Sequence, residues 1–266
     1  MRVLITGASG FVGQHLASYL QTIDPNITLF GTTLEPTPDS PIITYQPIDL
    51  RDYDAVRNLL AVSNPDHIYH LAAQAFVPRS FEDPWETLDN NIRSQLNIIL
   101  ACLELGIKPR MLVISSAEIY GAVNSSEMPM NENTPMRPTS PYSVSKITQD
   151  LLGLQYHLSH KLPIMRARAF NHIGPGQNPR FVAPAFATQI AKIENSQQEP
   201  FIYVGNLEAK RDFTDVRDIV RAYYNILSHG TPGEAYNVAS GKAYSIQYLL
   251  DTLLSYTDID IDVRVD

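Results

Sequence analysis

Tyr142 and Lys146 stand four residues apart in Tyr142-Ser143-Val144-Ser145-Lys146, at the start of a helical segment. That spacing sets both side chains on one helix face. A free phenol has a pKa of about 10 and exchanges protons poorly near neutrality. A neighbouring ammonium favours the phenolate and lowers that value. Ser115-Ser116 closes the apolar run Arg110–Ser115, which reads as a strand. A hydroxyl there can hydrogen-bond the substrate oxygen that gains or loses a proton. Ser116, Tyr142 and Lys146 together therefore suit acid–base work at such an oxygen.

A second cluster opens the chain. Thr6-Gly7-Ala8-Ser9-Gly10-Phe11-Val12-Gly13 follows a strand, Arg2–Thr6, and begins a helix, Phe11–Gln21. Glycines let the backbone turn tightly and approach a pyrophosphate, while the helix N-terminus offers N–H groups and a partial positive charge. The Gly-x-x-Gly-x-x-Gly spacing resembles the extended branch of the short-chain dehydrogenase/reductase family. The resemblance implies a nicotinamide dinucleotide against Gly7, Ser9, Gly10, Phe11, Val12 and Gly13. It also implies adenine contacts at Asp49-Leu50, and a backing strip at Leu71-Ala72-Ala73 of the segment His70-Leu71-Ala72-Ala73. It makes Ser116, Tyr142 and Lys146 the catalytic set, with Lys146 also holding the nicotinamide ribose.

The second strand ends Gly31-Thr32-Thr33. An acidic residue at that tip would bind the ribose 2′-hydroxyl of NAD and repel the 2′-phosphate of NADP. Thr32 stands there instead, with Glu35 further along the loop and no arginine nearby. NADP(H) is favoured and NAD(H) is permitted.

Ser115-Ser116-Ala117-Glu118-Ile119-Tyr120-Gly121 resembles a segment of the nucleotide-sugar dehydratases, which use an acid–base pair there to eliminate water. Glu118 is kept, but Ala117 cannot move a proton, so elimination is disfavoured. Phe170-Asn171-His172-Ile173-Gly174-Pro175-Gly176-Gln177, the run Gln189–Glu194 and the stretch Val204–Asp218 resemble the GDP-6-deoxy-4-keto-D-mannose reductases. The GDP-mannose 4,6-dehydratases are nearest to these in pattern. The resemblance implies NAD(P)H-dependent reduction of a C4 keto group, turning GDP-4-keto-6-deoxy-D-mannose into GDP-D-rhamnose, with Glu118 in the catalytic group. Arg211, with its planar fork of donors, suits a diphosphate. Asn171 can add a hydrogen bond, and Lys192 can reach base or phosphate. The alternatives are a 4,6-dehydratase or epimerase on the same kind of substrate, or a catalytically silent cofactor-binding regulator. The family runs on past this point through an Arg-Pro segment that clamps the nucleotide. The sequence stops at Asp266, so a truncated form or an incomplete substrate pocket is expected.

Short apolar runs alternate with longer amphipathic segments, the pattern of βαβ units and a parallel sheet. Further strands are expected at Ile27–Thr32, Ile42–Ile48, His67–Leu71, Ile164–Phe170, Phe201–Val204, Ala235–Val238 and Ile259–Val265. Further helices are expected at Tyr53–Ala61, Pro84–Leu105, Ser143–His160, Pro184–Glu194, Asp215–Ser228 and Tyr244–Leu254, with a loop over 171–180. The fold class is α/β: a doubly wound parallel (Rossmann) sheet with a smaller C-terminal α/β substrate domain. The dinucleotide-binding domain covers 1–170 plus about 212–241, and the substrate domain about 171–211 plus 242–266.

The 266 residues are 44% hydrophobic, enough for a sizeable core. A net charge of −8 argues against a nucleic-acid partner, which needs a basic face. No apolar run reaches the roughly 18 residues of a membrane span, and no signal-peptide core follows Met1, so a cytoplasmic protein is expected. Cys102 is the single cysteine, and the seven histidines lack ligand-like spacing, so no metal is expected. A GDP-linked deoxyhexose is the expected partner. The family resemblance implies a homodimer through helices near 86–105 and 143–160.

Overall fold

The computed structural model describes residues 1–36 and 40–265 and alternates strand and helix from the start. β1 (Arg2–Thr6) leads into α1 (Phe11–Ile23), then β2 (Thr28–Thr33), β3 (Thr44–Pro47), α2 (Tyr53–Ser63) and β4 (His67–His70). Next come α3 (Val77–Glu82), α4 (Pro84–Leu88), α5 (Ser94–Glu104), β5 (Arg110–Ser116), α6 (Pro141–His160) and β6 (Ile164–Ala169). β7 (Asn171–Ile173), α7 (Val182–Glu194), β8 (Phe201–Val204) and β9 (Lys210–Asp215) follow. The last elements are α8 (Val216–His229), β10 (Ala235–Val238), β11 (Ala243–Ser245), α9 (Ile246–Leu254) and β12 (Asp262–Val265).

Seven strands form one parallel sheet in the order β10-β6-β5-β4-β1-β2-β3. This is the expected doubly wound Rossmann sheet. The chain order reverses between β1 and β4, where Thr6 faces His70 across the ladder. A crevice for ligands opens at the strand ends beside such a reversal. Strands buried on both faces need largely apolar runs, which is why β1 and β5 were legible. Leu4, Leu60, Ile68, Ile98, Ile99 and Val113 meet in one core cluster, each at most 1% exposed. Burying each such side chain is worth about 1.5–3 kcal/mol.

The chain divides into two compact units, Met1–Phe170 with Arg217–Val238, and Asn171–Val216 with the residues from Ala239 onward. The dividing points near 217 and 238 differ from the expected 212 and 241. α8 joins the first unit because its buried side, including Val220, Tyr223 and Leu227, packs there; Arg110 Nε donates to the Leu227 carbonyl at 2.7 Å. β9 stays in the second unit, paired with β7 and β11. That unit has its own core, which includes Phe186, Ile190, Ile202, Val204 and Leu250.

Several expected elements differ. The helix over Pro84–Leu105 is three pieces, with a π-helical segment at Asp89–Arg93 between α4 and α5. The expected loop over 171–180 begins with strand β7, which is held by β9 and not by its own polarity. The helix expected from Tyr244 starts at Ile246, because Ser245 caps it by accepting from the Tyr248 N–H at 3.0 Å, and Ala243–Ser245 is a strand. β9 and α3 were not expected at all. Among the described residues, no helix is long and apolar enough to cross a membrane.

Candidate active site

The glycine turn sits at the C-terminal end of β1. Gly7 takes φ +65°, and a Cβ there would lie 3.0 Å from the Ala72 backbone. Gly13 packs so tightly that a Cβ would lie 2.6 Å from the Gly7 carbonyl oxygen. These two positions need glycine for different reasons: one for its dihedral angle, the other for close approach. Gly10 is the N-cap of α1 and supplies no side-chain acceptor, and the first turn carries no acidic residue. The N-terminal end of α1, positive by its dipole, is thus suited to an anion. Ser9 and Val12 are half-buried beside it, as is Phe11. Thr32 is buried beneath the turn, its Oγ1 accepting from Gly7 N–H at 3.1 Å, so it shapes the turn from below. Leu71, Ala72 and Ala73 continue from β4 as a half-buried strip of small or apolar side chains. Asp49 forms a bidentate pair with Arg51, whose hydrogen bonds hold its carboxyl below the usual carboxylate range. Leu50 is buried, and its carbonyl accepts from Asn97 Nδ2 at 2.9 Å. The turn, the uncapped helix and the small-residue strip fit a dinucleotide.

The acid–base set lies on β5, α6 and the turn after β5. Tyr142 and Lys146 are 8% and 4% exposed, and Lys146 Nζ lies 5.9 Å from the centre of the Tyr142 ring. Ser116 stands beside the Tyr142 hydroxyl, where the end of β5 meets α6. Ser116 Oγ also accepts from the Glu118 N–H at 3.2 Å and caps the short 3-10 turn Ala117–Ile119. Burial pushes the Tyr142 phenol up to about 12, against the lowering effect of Ser116; the Glu118 charge adds to the rise. Burial pushes Lys146 down to about 7. Lys146 Nζ donates to the Ile114 carbonyl at 2.9 Å.

Sequence reasoning missed the buried polar residues around this set. His70 Nδ1 meets Thr6 Oγ1 at 2.9 Å, and Thr6 Oγ1 already accepts from Ala72 N–H at 3.1 Å. Thr6 Oγ1 thus joins the imidazole to the backbone just past β4. Nε2 lies 3.4 Å from the side-chain amide nitrogen of Gln149, on α6, whose buried Oε1 has no partner among the described residues. Burial, with the Lys146 charge adding to it, holds His70 neutral with a pKa near 3. Asn91, fully buried in the π segment, pairs with both backbone groups of Gln74 and donates to Ser145 Oγ at 2.9 Å. Polar side chains inside otherwise apolar runs were the available signal.

In the second unit, Lys192 lines a cavity of about 650 Å³ together with Gly174, Gln177, Thr188, Asn195 and Asp215. Asn171 and Arg211 do not line it. They lie on the paired strands β7 and β9, where Asn171 faces Phe213, two residues beyond Arg211. The exposed Arg211 donates from Nη1 to the Lys210 carbonyl at 2.8 Å. Among the described residues no cluster of His, Cys, Asp or Glu could hold a metal ion.

A family model described as GDP-mannose 4,6 dehydratase matches residues 4–266. The chain is 36% identical over 265 residues to a GDP-6-deoxy-D-mannose reductase of Pseudomonas aeruginosa, covering 100% of this chain and 83% of that protein. A solved structure of RMD from Pseudomonas aeruginosa, complexed with NADPH, superposes with a TM-score of 0.87 at 35% identity, covering 100% of this chain and 86% of that one. A Thermus thermophilus UDP-glucose 4-epimerase with NAD gives a TM-score of 0.88 at 28% identity, covering 99% and 86%. The glycine turn, the Ser116–Tyr142–Lys146 set and a match along nearly the whole sequence agree, and the chain belongs to the family described as GDP-mannose 4,6 dehydratase.

Proposed function

We propose that the protein is an NADPH-dependent reductase of a GDP-linked 4-keto-6-deoxyhexose, converting GDP-4-keto-6-deoxy-D-mannose to GDP-D-rhamnose. The observation that carries this reading is a buried Tyr142 beside Ser116, with Lys146 buried close by, in a chain 36% identical to a GDP-6-deoxy-D-mannose reductase. Ala117 beside Glu118 supports reduction over elimination, because only one side chain of that pair can carry a proton.

The nicotinamide supplies the hydride for C4 when bound. The residues Gly7–Gly13 would cradle its pyrophosphate, and Leu71, Ala72 and Ala73 would back it. Asp49 and Leu50 would flank the adenine, and Thr32 holds the turn in shape. No carboxylate stands at Thr32-Thr33 to repel a 2′-phosphate, which favours NADPH; NADH remains permitted. Tyr142 would deliver its proton to O4 of the sugar, and Ser116 would hold that oxygen. A phenol near pKa 12 is fully protonated at neutral pH, as a proton donor must be. Lys146, as ammonium, stabilises the phenolate left behind and binds the nicotinamide ribose. Glu118 orients the sugar beside Ser116. Lys192, in the cavity of the second unit, meets the nucleoside diphosphate, with Asn171 and Arg211 as further donors.

The exposed apolar side chains of α6, Leu151 and Leu158 at 47% and 60%, suit a homodimer through this face. A cytoplasmic location goes with the reading, since the lone, buried Cys102 needs no oxidising compartment. Incubating the protein with GDP-4-keto-6-deoxy-D-mannose and NADPH or NADH tests the reading. It predicts consumption of NADPH with formation of GDP-D-rhamnose. Brisk conversion of GDP-mannose with NADP⁺ to a 4-keto product would overturn it.

A further inference from the structure

β6 carries two arginines inside a strand that is otherwise apolar, Ile164-Met165-Arg166-Ala167-Arg168-Ala169, and every residue of it is buried. Both reach Asp150 on α6, whose side chain is fully buried: Arg166 Nη1 at 2.6 Å, and Arg168 through Nε at 2.9 Å and Nη2 at 3.1 Å. The remaining end of the Arg168 fork points elsewhere. Its Nη1 donates to the Tyr120 hydroxyl at 3.1 Å and to the Glu132 carbonyl at 2.8 Å. The Tyr120 hydroxyl donates in turn to Asn237 Oδ1 at 2.7 Å, and the Asn237 N–H donates to Glu132 Oε1 at 2.7 Å.

The two ends of this fork are the two halves of the acid–base set. Tyr120 closes the turn that carries Ser116 and Glu118, and its N–H bonds the Ala117 carbonyl at 3.0 Å. Asp150 lies on the same helix as Tyr142 and Lys146, one turn beyond Lys146. Resting on the reductase reading, we propose that Arg168 is a positioning residue: its single guanidinium fixes the Ser116–Glu118 turn against the Tyr142–Lys146 helix.

Two physical points support a role beyond packing. Taking two guanidinium groups and one carboxylate out of water is expensive, and apolar residues of similar volume often serve stability as well or better. The fork geometry is also specific to arginine, because a lysine ammonium is a point charge that cannot hold carboxylate and phenol in one plane. A second consequence concerns Lys146. Asp150 stands at the i,i+4 position, the natural ion-pair partner of Lys146 on one helix face. The arginines occupy that carboxylate, and Lys146 bonds the Ile114 carbonyl instead. Removing Arg168 would leave Asp150 short of one cation and draw Lys146 toward it, away from the ribose.

Three variants separate these effects: Tyr120→Phe, Arg168→Lys and Arg168→Gln. Each is measured for kcat and KM with the keto sugar, for NADPH Kd by fluorescence, and for thermal midpoint. Tyr120→Phe keeps the ring and cuts the hydroxyl's bonds to Arg168 and Asn237. It should lower kcat by about tenfold or more, as sub-ångström misplacement does, with NADPH Kd within about twofold. Arg168→Lys keeps a cation for Asp150 and should behave like Tyr120→Phe. Arg168→Gln should lower kcat and also weaken NADPH binding by about tenfold, while a folded thermal transition persists. Unchanged kcat in folded Tyr120→Phe and Arg168→Lys overturns the positioning role. If the wild type fails to reduce this sugar, the substrate reading fails, and the NADPH arm still decides. Equal NADPH affinity in wild type and folded Arg168→Gln then overturns the proposal.

Discussion

Tyr142 and Lys146 divide the proton work between them, and each division predicts a measurement. Tyr142→Phe removes only the hydroxyl. Turnover should fall by about 10²–10⁴-fold, the usual contribution of a positioned acid–base group, while NADPH affinity measured by fluorescence stays close to wild type. A near-normal rate would remove Tyr142 from the mechanism. Lys146 acts through its charge, and burial lowers its pKa to about 7. Below that pH the ammonium stabilises the forming phenolate; above it the amine is neutral and that help is lost. Reduction should therefore slow as pH rises through about 7. Lys146→Ala should lose this dependence, run slowly throughout and bind NADPH more weakly. A pH–rate profile of wild type and variant, with titration of NADPH into each, checks all three points.

At the scale of elements, the sheet was legible and the devices that tune it were not. β1 and β5 are largely apolar runs because a parallel strand has two buried faces, and the glycine turn follows from its place between β1 and α1. β9 reads Lys-Arg-Asp-Phe-Thr-Asp and shows no strand period; it is a strand because β7 and β11, far away in sequence, pair with its two edges. The π segment is similarly tertiary in origin, since it delivers Asn91 to Gln74 and Ser145. His70 was visible in its motif only as part of a backing strip, yet it ties β1 and β4 to α6. That tie has a pH signature. The folded-state pKa of His70 is depressed from an ordinary 6.5 to about 3, so the unfolded chain binds an extra proton in this window. The stabilisation is complete above 6.5 and is lost as pH falls toward 3. The loss is on the order of a few kcal/mol. In urea unfolding across this window, His70→Asn should be less stable than wild type at pH 8 and lose less on acidification. Parallel curves would place the acid sensitivity in other groups.

For the whole molecule, the two units divide the labour that the reductase reading requires: an acid–base set on the Rossmann sheet, and a cavity beside α7 in the smaller unit. The apolar outer surface of α6 serves neither task. Leu151, Leu154 and Leu158 line a shallow groove there with Gln155 and Ser159. Light scattering at micromolar concentration should give a dimer mass for the wild type, and the double variant Leu151→Asp, Leu158→Asp should give a monomer. A monomer mass for the wild type would count against the assembly while leaving the chemistry intact.

The central claim is direct delivery of a hydride to C4, with Tyr142 supplying the proton. NADPH deuterated at the transferable C4 position of its nicotinamide tests it in one incubation with GDP-4-keto-6-deoxy-D-mannose. The expected product is heavier by one deuterium, located by NMR on sugar C4, with matching loss of the label from the nucleotide. Deuterium on C5 or C6, or an unlabelled sugar product, would contradict it.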